Sequence, residues 1–297
     1  MHLKKAVLLA AAATLACADT AVSRLWEDKL HESIRLLDHS LNGALGVATI
    51  DLLSGKTFLH NGDVQFPTAS TIKIAIMIQL YRDDRAGRLH FDNGYTLTKA
   101  DNAGGSESPL QTALDKGGDV QMTLRELLEN MIVYSDNSAT NKIIDLVGME
   151  RVNALVRSLG LQNTELRRKM MDAEAAANGN ENVSTPLDLA TLLRMIYDES
   201  AADPESCKAM LELMKKVNNG YMRAALPPGT VLASKPGDLD GVRAEAGIVV
   251  LPKRPFVVVV MSSWLDDGVN PVPDVTRAVY GYFFKLAHSN EFGRRLD

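Results

Sequence analysis

The 297-residue chain has few of the residues that staple or metallate small proteins: two cysteines, Cys17 and Cys207, and six histidines. So few thiols exclude a disulfide framework, and Cys207 shares a helical spacing with Met210, Leu211 and Met214, which marks it as core. The histidines, at positions 2, 31, 39, 60, 90 and 288, form no His-x-x-x-His or similar ligand pair. That disfavours a metal hydrolase, and no metal or cofactor is expected. There is no Gly-rich phosphate loop, so nucleotide chemistry has no support. Net charge is −5, with lysines and arginines scattered rather than striped, which argues against nucleic acid as a partner. No solenoid period or low-complexity tract is evident.

What is present begins with Met1-His2-Leu3-Lys4-Lys5 and an apolar stretch over residues 6–16, the basic and hydrophobic parts of a secretory signal. The stretch is too short to span a bilayer as a mature helix. Ala16-Cys17-Ala18 offers a small-x-small cleavage site, giving a signal over residues 1–18 and a mature chain from Asp19. Cys17 could instead carry a lipid, but Thr14 stands where a lipobox prefers an aliphatic residue, so simple cleavage is the favoured reading. Cleavage leaves Cys207 alone, with no intramolecular disulfide possible. An exported monomer, periplasmic or secreted, is expected.

Leu25, Trp26, Leu30, Ile34, Leu37 and Leu41 recur at the spacing of an amphipathic helix over 23–41. Strands are predicted at 44–52 and 57–61, flanking a Ser54-Gly55 turn. The pattern then turns largely helical. Thr123 and Glu126 form a capping box ahead of the stripe Leu124, Leu127, Leu128, Met131 and Ile132. Helices at 138–147 and 150–159 stop at Gly148 and Gly160. Residues 161–184 are polar, weakly periodic and too long for an ordinary connection, so they read as a functional loop. Thr185-Pro186 restarts a helix as N-cap and first residue, and a further helix covers 205–217. Strands return at 231–235, 242–251 and 256–265, the last two joined at Pro252-Lys253-Arg254-Pro255, before a closing helix at 275–286. Strands at both ends with helices between imply an α+β fold: a sheet domain from 19–66 and 216–297, an all-helical insertion at 67–215, and a cleft at their junction.

Ser70-Thr71-Ile72-Lys73 opens an apolar run that would bury a cation one turn from a hydroxyl. Burial lowers an amine's pKa toward a value suited to taking the serine proton. The alternative is a surface serine before a snorkelling lysine. Ser135-Asp136-Asn137 stands at a helix break, where Asp136 or Asn137 could equally be a cap. Lys235-Pro236-Gly237 falls at the end of a short strand; by itself it is an ordinary turn, although Gly237 would let a substrate approach the backbone.

Together and in order, these three elements resemble the Ser-x-x-Lys, Ser-Asp-Asn and Lys-Thr-Gly triplet of the serine β-lactamase and penicillin-binding protein superfamily, closest to its class A branch, over about residues 25–290. The resemblance implies a five-stranded antiparallel sheet flanked by helices plus a helical domain. It implies Ser70 as acylated nucleophile, Lys73 as its base, Ser135 as proton shuttle to the leaving nitrogen with Lys235 beside it, and Asn137 as a holder of the substrate amide. The N–H groups of Ser70 and Asp238, with Gly237 between β-strand and substrate, would form an oxyanion hole. Arg243 would grip a substrate carboxylate, or else pair on the surface with Glu245.

Two departures from the family pattern stand out. The class A Glu-x-x-Leu-Asn segment, whose glutamate activates the deacylating water, is replaced by Thr164-Glu165-Leu166-Arg167-Arg168-Lys169-Met170-Met171-Asp172; Asp172 and Glu174 are the nearest acids. Pro236 also deletes the usual hydroxyl. The expected ligand is a small-molecule β-lactam or peptidoglycan-like amide. The leading reading is a β-lactam hydrolase, against a D-Ala-D-Ala peptidase or esterase, or a binding module that acylates without turnover.

Overall fold

The computed structural model describes residues 20–296; the expected signal over residues 1–18, with Cys17, lies outside them. In chain order the elements are α1 (Ala21–Ser40), β1 (Ala44–Asp51), β2 (Thr57–His60), β3 (Phe66–Pro67), α2 (Lys73–Arg85), β4 (Gly94–Leu97), α3 (Pro109–Asp115), β5 (Val120–Thr123), α4 (Leu124–Val133), α5 (Asn137–Val147) and α6 (Met149–Ser158). They continue with α7 (Ala173–Ala177), β6 (Val183–Ser184), α8 (Pro186–Tyr197), α9 (Pro204–Lys215), α10 (Tyr221–Ala225), β7 (Val231–Leu239), β8 (Val242–Val250), β9 (Phe256–Ser263) and α11 (Val272–Ala287).

The main sheet has the order β2-β1-β9-β8-β7, every pair antiparallel. Its centre is β9, whose run of four valines is buried on both faces. Alternation divides that run between two cores. Phe256, Val258 and Val260 join Leu30 and Ile34 of α1 and Val275, Val279 and Phe283 of α11. Val257, Val259 and Met261 face the larger core built from α2, α4, α5, α6, α8 and α9. Cys207, Met210 and Met214 are fully buried there, as their spacing predicted.

The local signals behave as expected. Thr123 and Glu126 make a reciprocal capping box, and Thr185 caps α8 with Pro186 at its first position. Helix α2 is buried from Lys73 through Tyr81, so it runs through the middle of the molecule. One expectation is corrected: β7 does not end at Lys235 but continues to Leu239, with Pro236 opposite Glu245 and Gly237 opposite Ala244. Lys-Pro-Gly is therefore mid-strand. Proline is tolerated because β7 is an edge strand and needs no N–H on its open side.

Candidate active site

The serine sits on a constrained turn. Residues Ala69–Ile72 form a 3₁₀ turn rather than the first turn of α2, entered through Ala69 at φ +44°. The Thr68 N–H and hydroxyl both reach the Asn182 carbonyl, at 2.8 and 3.1 Å, and Thr71 donates back to the Thr68 carbonyl at 2.7 Å. The nucleophile turn is thus tied to the far end of the 161–184 loop. The Lys73 N–H reaches the Ser70 carbonyl, which starts α2.

Lys73 is wholly buried, and its ammonium crosses to the α4–α5 junction. It donates to the Ser135 carbonyl at 2.7 Å, to Ser135 Oγ at 3.2 Å and to Asn137 Oδ1 at 3.2 Å. At that junction the Ser-Asp-Asn motif divides its labour. Asp136 is buried and structural: it caps α5 by accepting the Ala139 N–H at 2.7 Å, and it receives the Ser108 hydroxyl. That leaves Ser135, held at φ +57°, and Asn137 turned to the cleft. The Asn137 amide nitrogen donates to the carbonyls of Gly104 and Gly105, at 3.1 and 3.3 Å.

From the sheet side, buried Lys235 donates to Ser135 Oγ at 2.9 Å and to the Pro236 carbonyl at 3.0 Å. One hydroxyl oxygen accordingly accepts from two amines, and its own proton is available to a group in the cleft. Burial pushes the Lys73 amine well below the ordinary lysine range, reinforced by the like charge of Lys235 and opposed by Asp136. Burial likewise brings Lys235 down to about 7, with Glu245 and Asp238 pulling it back up. Gly237 closes the arrangement. A Cβ there would lie 2.7 Å from Ser70 N and 3.0 Å from the Thr68 carbonyl, so the glycine admits the nucleophile's own backbone rather than making room for a substrate. Ser70, Ser135, Asn137, Gly237 and Asp238 line one cleft of about 870 Å³.

A family model described as the β-lactamase enzyme family matches residues 29–283. The chain belongs to that family. It is 30% identical to the β-lactamase OXY-2 of Klebsiella oxytoca over 86% of this chain and 88% of the relative. A solved β-lactamase from Sphaerobacter thermophilus superposes with a TM-score of 0.78 at 34% identity, covering 86% of this chain and 97% of that one. A penicillin G acyl-enzyme of a leucine-to-glutamate variant of PBP-A matches with the same TM-score at 29% identity, covering 87% and 97%. The chain is a class A β-lactamase-like serine hydrolase.

The opposite wall of the cleft is the 161–184 loop, and the acids it contributes to the lining, Asp172 and Glu181, are both bonded. Arg168 and Glu181 form an ion pair at 2.8 Å, and Asn182 Oδ1 gathers the N–H groups of Arg167 and Arg168. Asp172 lines the cleft but caps α7, its carboxylate accepting the Ala175 N–H at 2.9 Å. Glu174 lies outside the lining. Met170 and Met171 line the cleft beside Arg168, Asp172, Glu181 and Asn182, and the Met170 backbone is fixed on both sides by Asn141, at 2.8 and 3.0 Å. Arg243 is not part of the lining either. Its guanidinium reaches the carbonyls of Leu239 and Val242, at 2.9 and 2.8 Å, and sits 3.4 Å from Asp238, so its partner is neither a waiting carboxylate pocket nor Glu245. Glu245, two residues on along the same strand, is buried and accepts from the Met222 N–H and the Ser234 hydroxyl. The roles of Asn141, Asn182 and the Gly104-Gly105 segment escaped the sequence; the paired glycines were the only local signal, and nothing tied them to the cleft.

Proposed function

We propose that this chain opens the β-lactam amide through an acyl-enzyme on Ser70. Lys73 takes the serine proton, Ser135 passes a proton to the leaving nitrogen with Lys235 holding its oxygen, and Asn137 holds the substrate's side-chain amide. The N–H groups of Ser70 and Asp238 receive the oxyanion. The observation that carries this reading is the Ser135 hydroxyl bonded by two buried amines at 3.2 and 2.9 Å beside a cleft that contains Ser70. Such a group can neither hold two charges cheaply nor serve stability better than apolar residues would, so chemistry is its explanation. The penicillin G adduct of the PBP-A variant supports a penicillin as acylating ligand.

Because the acids that line the loop wall are already bonded, Asp172 to the Ala175 N–H and Glu181 to Arg168, acylation outruns deacylation. This favours, as second reading, transfer of the acyl group to an acceptor other than water, in the manner of a D-Ala-D-Ala peptidase or an esterase. The protein is further proposed to be exported by residues 1–18, to act as a monomer, and to divide into a sheet domain (19–66 and 216–297) and a helical one (67–215). With a chromogenic cephalosporin, the expected result is a burst equal to the enzyme concentration, then slow turnover, with a mass adduct on Ser70. Ser70→Ala is expected to lose at least about 10⁴-fold in rate and all of the adduct. Hydrolysis surviving that change would mean that another residue is the nucleophile.

A further inference from the structure

We propose that Met171 sets which side chains a substrate can carry beyond its amide: the thioether crosses from the 161–184 loop to the Gly104-Gly105 segment, so slender side chains pass it and branched ones are turned away. The inference rests on the acyl-enzyme reading above and deepens it by naming the class of substrate. The crossing is direct. A Cβ on Gly105 would lie 2.9 Å from Met171 Cε and 3.0 Å from its Sδ, so the end of the methionine rests on the bare α-carbon of that glycine. The same point is 3.4 Å from Asn137 Nδ2. The thioether and the Asn137 amide are therefore close neighbours on one side of Gly105, and all three residues line the cleft.

The chain supplies what this contact needs. Gly105 has φ +68°, and any side chain there would displace the sulfur. Met171 is held at φ +62°, a left-handed backbone that such a residue keeps only where its surroundings impose it. Both neighbours do so: Asn141 bonds the Met170 N–H and carbonyl, at 2.8 and 3.0 Å, and Asp172 caps α7 through the Ala175 N–H. The backbone is thus fixed, while the half-exposed side chain keeps the torsional freedom of an unbranched thioether. On the other side, Asn137 is anchored to the Gly104 and Gly105 carbonyls and to Lys73. Its amide holds the substrate amide in the reading above, so whatever continues from that amide runs out beside Gly105 and into the thioether. A group joined through a methylene bends past a rotated methionine. An aryl or branched carbon joined directly to the carbonyl meets it, and such an element discriminates by obstruction rather than by added attraction.

The test compares two penicillins that share a nucleus: penicillin G, whose ring is joined through a methylene, and one whose side-chain carbonyl bears a di-ortho-methoxyphenyl ring directly. The second-order rate of adduct formation on Ser70 is read by mass spectrometry. In Met171→Ala the ratio of bulky to slender probe is expected to rise about tenfold or more, chiefly through the bulky one. Met171→Gly, which suits the left-handed backbone and is checked for an unchanged thermal midpoint, should move the ratio in the same direction, whereas Met171→Leu, of similar bulk, should keep it within about threefold. A ratio constant within about twofold in both the Ala and Gly variants, or one that rises as far in Met171→Leu, with adducts still forming on Ser70, would overturn this inference alone. If neither probe acylates Ser70 in any of the four proteins, the hydrolase reading falls and this inference with it.

Discussion

The two walls of the cleft are built on opposite principles. On one side, α2, the α4–α5 junction and β7 bring two buried amines onto one hydroxyl, a costly arrangement in which three side chains from distant segments share hydrogen bonds. Across from it, the 161–184 loop has its lining charges already bonded: Arg168 to Glu181 and Asp172 to a helix cap, while Lys169 pairs with Asp145 of α5. Beside them it sets Met170 and Met171. The first wall can move protons during attack on a carbonyl; the acids lining the second are tied to other partners. The difference separates forming an acyl-enzyme from releasing it.

The sharpest way to break the contrast is to give the second wall a base. Met170→Glu places a carboxylate on a backbone position that Asn141 already fixes, and the lifetime of the Ser70 adduct is expected to shorten by about 10²-fold, read by mass spectrometry after a chase. An unchanged lifetime would show that this wall does not face the acyl carbonyl.

The first wall can be probed through stability. With Lys235 lowered to about 7 in the fold and near its ordinary 10.5 when unfolded, the unfolded chain binds more protons between those values. Stability is therefore lost as pH falls through that window, and the cost is fully present below about 7. Lys235→Met is expected to raise unfolding stability at pH 7 by about 1–4 kcal/mol while abolishing acylation, with the gain shrinking toward pH 10. Urea unfolding at the two pH values measures it; a variant equally destabilised at both would mean that the amine contributes more through its hydrogen bonds than burial costs it.

The smallest effect is expected at the loop acid that the sequence singled out. Asp172→Asn keeps a side-chain oxygen for the α7 cap, and adduct lifetime should change by less than about twofold. A large lengthening would make Asp172 a water-activating group and erase the asymmetry between the walls.

Much of the fold was legible because its signals are local. The valine run of β9, the Thr123–Glu126 box and the apolar run from Ile74 to Ile78 in α2 each state their own burial or boundary within a few residues. Ser70, Lys73, Ser135 and Lys235 were legible as a set through their family resemblance. The allocation of polar groups was less so. Arg243 was expected to hold a substrate carboxylate or pair with Glu245, yet it is bound to Leu239, Val242 and Asp238 by the tightness of the turn between β7 and β8. Asp172 looked available, yet it caps a five-residue helix that the loop's composition scarcely announces.

The sequence by itself determined the five strands of the main sheet, though not the end of β7, and the buried helix, since periodicity and capping act over a turn or two of chain; the candidate reacting groups came from the resemblance. Only the tertiary structure decided that Lys73 and Lys235 meet on one Ser135 oxygen, that Lys-Pro-Gly runs mid-strand against the Ser70 turn, and that the loop acids lining the cleft are bonded to other partners. Those outcomes depend on which donors and acceptors packing brings within 3 Å of one another across a hundred residues of chain, as Lys235 Nζ and Ser135 Oγ are at 2.9 Å, and no local pattern encodes that competition.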